Sequence, residues 1–189
     1  MKTIAALLLA LCPALLPAVE ARLVYTPDIT ADEVVFAFED DLWTAPLAGG
    51  DARRVTAHPG TETNPRFSPD GQWLAFTAGY DGGSDVYVMP SGGGEPVRLT
   101  YHPARDTVRG WSADGAWVYF TSGRKLDGRL YRVPAGGGAE EEIPIPQVWH
   151  ASVGPGGAEI AYVPTSADRM NWKGYKGGQQ QDIWLETFQ

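Results

Sequence analysis

Cysteine is almost absent from this 189-residue chain: Cys12 is the only one, and it lies inside an apolar run near the N-terminus. No disulfide framework, Cys-based metal site or thiol catalyst can be built from the rest of the chain. Positive charge is also scarce, with 15 Lys and Arg against 23 Asp and Glu and a net charge of −8. That balance argues against a nucleic-acid partner, which favours a basic surface. Histidine is limited to His58, His102 and His150, with no pair at metal-ligand spacing, so neither a zinc site nor another metal centre is expected. A Gly-x-Ser-x-Gly elbow is missing, and the glycine runs lack the Lys-Ser/Thr of a phosphate loop. No catalytic residue and no cofactor is expected from these absences. Long amphipathic stretches are missing too, while 23 Gly, 15 Pro and seven Trp are present, which points to an all-β chain rich in turns.

Residues 1–21 read as a secretory signal. Lys2 precedes the apolar run Ile4 to Leu16, and Val19 and Ala21 supply small residues before a cut after Ala21. The run is shorter than the ~20 residues of a membrane span, so a secreted or periplasmic protein free of the membrane after cleavage is expected. Leu11 before Cys12 disfavours a lipoprotein.

The mature chain repeats itself. Ser68-Pro69-Asp70-Gly71 recurs 44 residues later as Ser112-Ala113-Asp114-Gly115, more weakly as Gly154 to Gly157, and in the same place earlier as Thr30 to Glu33. Asp41-Leu42-Trp43, Asp85-Val86-Tyr87, Arg129-Leu130-Tyr131 and Asp182-Ile183-Trp184 are one strand in four copies, and glycine turns follow the first three. Short strands then end in Thr56 and Thr100, each opening a Thr-x-His-Pro sequence. Four strands at a period of ~40–45 residues describe a β-propeller blade. Along Asp85 to Pro90, Val86 and Val88 face one way and Tyr87 and Met89 the other, so both faces are apolar, as in a sheet packed between two others. Blades are expected at about 23–60, 61–104, 105–148 and 149–189, forming an incomplete ring that looks like the front part of a larger protein.

Two basic loops break the regularity. Arg124 and Lys125 lie between the second and third strands of blade three. The equivalent loop of blade four is about nine residues longer and carries Arg169, Lys173 and Lys176 around Trp172 and Tyr175. Long loops in compact repeats often carry function. In an acidic chain these cations are candidates to receive a carboxylate. His58 and His102, being repeated, are expected to be structural, and the acidic runs at Glu39 to Asp41 and Glu140 to Glu142 to face solvent.

The units FSPDGQWLAF and DVYVMPSGGGEPVRLT resemble the Pro-Asp propeller repeats of TolB and of propeller-bearing serine peptidases. Together with DLWTAPLAGGDARRVTAHPG and WKGYKGGQQQDIW, they resemble the N-terminal propeller of tricorn-type proteases. That resemblance implies a fragment of a six-bladed propeller that gates unfolded polypeptide for a serine-peptidase domain lying beyond this chain. It also implies that basic residues bind the substrate's C-terminal carboxylate, and by loop position Arg124 and Lys125 match that role. The rest of a longer protein and further copies of the chain are the other partners implied. A TolB-like protein-binding propeller without an enzyme is the alternative, and WKGYKGG argues against a prolyl-oligopeptidase-type propeller.

Overall fold

Alternating β-branched and aromatic residues, interrupted by Asp-Gly and Gly-Gly turns, fold into strands and almost nothing else. A computed structural model describes residues 24–126, 128–154, 159–164 and 182–187. The first sheet joins β1 (Tyr25–Ile29), β2 (Glu33–Phe38), β3 (Asp41–Pro46) and β4 (Arg53–Arg54) in that order. The second joins β5 (Glu62–Phe67), β6 (Trp73–Ala78), β7 (Asp85–Pro90) and β8 (Val97–Arg98), and the third β9 (Asp106–Trp111), β10 (Trp117–Ser122), β11 (Arg129–Pro134) and β12 (Glu141–Glu142). A fourth, three-stranded among the described residues, contains β13 (His150–Val153), β14 (Glu159–Val163) and β15 (Trp184–Thr187). All ladders are antiparallel, and β1, β5, β9 and β13 are successive neighbours along the inner side. The fold is an all-β propeller whose ring is not closed among the described residues.

Sequence alternation places the core. Val86 and Val88 of β7 pack with Val108, Val118 and Phe120 of the third sheet, whereas Tyr87 and Met89 pack with Val35, Leu42 and Phe67 on the other side. A third cluster, including Leu130, Ile145, Val148 and Ile160, joins the third and fourth sheets. Each sheet interface is therefore its own core. The register repeats as well: Phe36 pairs with Trp43, Phe76 with Tyr87, Phe120 with Tyr131 and Tyr162 with Trp184.

The repeated turn closes as the sequence leads one to expect. The N–H of Gly71 donates to the Ser68 carbonyl at 2.8 Å and that of Gly115 to Ser112 at 2.9 Å. Both glycines have φ +70°, a conformation side chains disfavour. The Ser68 and Ser112 hydroxyls donate to Asp70 and Asp114 and accept the N–H of Trp73 and Trp117. Those contacts, with backbone N–H groups, hold both carboxyls below the ordinary range. His58 and His102 each accept a backbone N–H two residues on, at 3.0 Å.

One expectation about charge changes. Glu39 and Asp40 form an exposed turn with φ of 50° and 67°, but Asp41 is buried and pairs with Arg54 at 2.6 Å. The corresponding pair one repeat later is Asp85 with Arg98, at 2.8 Å. In the third sheet it is reversed, Arg129 facing Glu142 at 3.7 Å.

Candidate functional site: an arginine-lined groove

Between sheets one and two, the chain leaves β4 at Thr56, whose hydroxyl accepts the Leu42 N–H at 2.8 Å and donates to the buried Glu62. Tyr80 donates to the same carboxylate at 2.7 Å. Burial pushes the Glu62 carboxyl up, against the pull of those two hydroxyls, and pushes the Tyr80 phenol up as well. Forty-four residues on, Thr100 accepts the Val86 N–H at 3.0 Å, Asp106 takes the place of Glu62, and Arg124 takes that of Tyr80.

Arg124 therefore has a defined structural position. Its guanidinium donates to buried Asp106 at 2.9 Å and to Glu140, and lies 4.8 Å from the centre of the Tyr131 ring. Only 15% of its side chain is exposed. Lys125 is more open, pairing with Glu142 at 2.7 Å while lining a neighbouring groove. Arg169, Lys173 and Lys176 lie outside the described residues. The dibasic pair is thus split, one cation facing into a sheet junction and the other towards a cavity.

That cavity, of about 550 Å³, lies where the third sheet meets the fourth. Sequence repetition would put an acid at position 150, but His150 stands there. Arg109 takes its place in the groove because β9 is irregular: Tyr119 pairs with Gly110 and Phe120 with Val108, leaving Arg109 unopposed. A bulge of this kind re-aims one side chain. The Arg109 guanidinium donates to the Thr121 hydroxyl at 2.9 Å and the Trp149 carbonyl at 2.7 Å, and meets His150 Nδ1 at 2.9 Å. Facing that guanidinium, His150 accepts through a neutral ring, and burial together with the Arg109 charge lowers its pKa.

Arg105 lines the same groove, and Arg66 lines an adjoining cavity of about 380 Å³ that Arg109 also borders. Among the described residues, no carboxylate pairs with Arg66, Arg105 or Arg109. Burial, reinforced by the charges of Arg66 and Arg105, pushes the Arg109 guanidinium down to about 10. Asp28 lines the smaller cavity but accepts the Phe67 N–H at 2.8 Å and pairs with none of the three arginines, which leaves them to an anion, and planar guanidinium suits a carboxylate. The signal for it in the sequence is Gly110, an isolated glycine inside a strand pattern, which marks bulges. No group of three or more metal-ligating side chains occurs among the described residues, and no helix there is long and apolar enough to cross a membrane.

Comparison with known proteins identifies the domain. The model of the tricorn protease N-terminal beta propeller domain matches residues 21–189. Tricorn protease homolog 1 of Streptomyces coelicolor is 44% identical over 70 residues, covering 37% of this chain and 6% of that protein. The tricorn protease of Thermoplasma acidophilum is 39% identical over 54 residues, covering 29% and 5%. The chain thus matches only a small part of the length of these relatives. A crystal structure of the tricorn protease superposes with a TM-score of 0.70 at 26% identity, covering 87% of this chain and 17% of that one. TolB from Acinetobacter baumannii superposes at 0.68 and 20% identity, covering 87% and 41%, a likeness of fold alone. The chain belongs to the tricorn protease N-terminal β-propeller domain family.

Proposed function

We propose that this propeller holds polypeptide ends for proteolysis by a serine peptidase domain carried elsewhere in a secreted, tricorn-like protein. The observation that carries the reading is the group Arg66, Arg105 and Arg109, which has no carboxylate partner among the described residues of a chain with net charge −8. A polypeptide's C-terminal carboxylate is the counter-charge that fits. Lys125, half-exposed at the rim, adds long-range attraction, and Arg169, Lys173 and Lys176 belong to the proposed binding set by their loop position. Arg124 serves the set indirectly, by holding the junction behind the groove. Bidentate pairing also orients the chain end, so a bound peptide enters with one polarity.

The test uses the full chain and a fluorescent peptide with either a free C-terminal carboxylate or an amide, followed by anisotropy. The free acid should bind more tightly by about tenfold or more, the range for a charge-assisted hydrogen-bonded pair. Arg105→Gln with Arg109→Gln should erase that preference. Equal affinity for acid and amide in the unaltered chain refutes the reading.

A further inference from the structure

Two large apolar side chains stand in the same groove as the arginines. Trp149 is 46% exposed and Leu126 99% exposed, and both line the cavity that Arg105 and Arg109 border. Scattered surface apolar residues are ordinary and call for no function. These two differ because they share one concavity with Arg105 and Arg109, with which no carboxylate among the described residues pairs. A groove of about 550 Å³ with an apolar wall and a few convergent polar groups has the make-up of a small-ligand site. Trp149 is also held in place. Its carbonyl accepts from Arg109 at 2.7 Å, its N–H donates to the Val163 carbonyl at 2.8 Å, and the next residue, His150, meets the same guanidinium. The cation and the residue carrying the indole are therefore tied together through the backbone.

We infer that the groove selects polypeptides whose last residue has an apolar side chain, with Arg105 and Arg109 taking the carboxylate and Trp149 and Leu126 covering the side chain. The inference rests on the carboxylate reading above and adds the substrate class. A terminal carboxylate and its own side chain leave the same Cα, so one residue can satisfy both halves of the groove at once. A small polar last residue would leave the apolar wall in water. Occupancy by an apolar side chain removes Trp149 and Leu126 from water, a gain of about tenfold or more in affinity.

The experiment measures anisotropy of four labelled peptides on the full chain. They share one Gly-Ser body and end in Phe or Ser, each as free acid or amide. The Phe acid should bind tightest, with the Ser acid about tenfold weaker and the amides weaker again. Trp149→Ala should bring the Phe-to-Ser ratio of the acids towards one. Leu126→Ser, at a position almost wholly in solvent, should lower the same ratio without risk to folding. Equal binding of Phe and Ser acids, both above their amides, overturns the inference and leaves the carboxylate reading standing. A Phe preference without acid preference overturns both, because it describes only a greasy patch. A Phe-to-Ser ratio untouched by either substitution removes the wall from these two residues and overturns the assignment.

Discussion

At two sheet junctions the first residue of the incoming inner strand is a buried acid, Glu62 or Asp106. At the third the equivalent residue is exposed His150. The first two junctions also share a threonine latch, Thr56 or Thr100, where the third repeat has Pro144. Glu62 is answered by a neutral phenol and Asp106 by a guanidinium, two solutions to one buried acid. The third junction needs no counter-charge, and its arginine, Arg109, is free to face a groove. Repetition with these two positions altered leaves a groove where the other junctions are sealed.

Breaking the charged seal should have the largest effect. Arg124→Ala leaves Asp106 buried without its cation and should cost about 3–5 kcal/mol in urea unfolding of the full chain. Installing the first junction's chemistry in the second, as Asp106→Glu with Arg124→Tyr, should recover part of that loss. No recovery would show that the two junctions are not interchangeable. Tyr80→Phe tests the neutral seal, removing one donor to Glu62, and should cost about 1–3 kcal/mol by the same measurement. A Tyr80→Phe loss equal to that of Arg124→Ala would abolish the distinction between a charged and a neutral seal.

The smallest expected effect is a pH dependence. Burial holds the folded-state pKa of Glu62 above its ordinary value, so the fold favours the protonated form. That contribution is complete below the ordinary carboxylate range and is lost as pH rises through the raised folded-state value. Glu62→Gln has no group to titrate there. The wild-type urea midpoint should therefore fall relative to that of the variant across this window and run parallel to it above. A difference that grows in the opposite direction would place the carboxylate, not the acid, as the favoured form.

The architecture was largely legible because each blade is built from contacts near in sequence. The SPDG turn closes within four residues, and alternation in β7 assigned Val86 and Val88 to one core and Tyr87 and Met89 to the other. The site was less so. Arg124 and Lys125 read alike as neighbouring cations in a loop, yet Arg124 meets Asp106 and Glu140 while Lys125 meets Glu142. Arg109 was hidden in a strand pattern, its role set by a bulge and by Trp149 and His150 some 40 residues away.

By itself, then, the sequence determined the repeat, the turns, the two-faced strands and the propeller they build, since periodicity and φ preferences act locally. Only the tertiary structure decided which cations are neutralised and which face a cavity. Charge pairing depends on distances across sheet junctions, and a linear pattern holds no such distances.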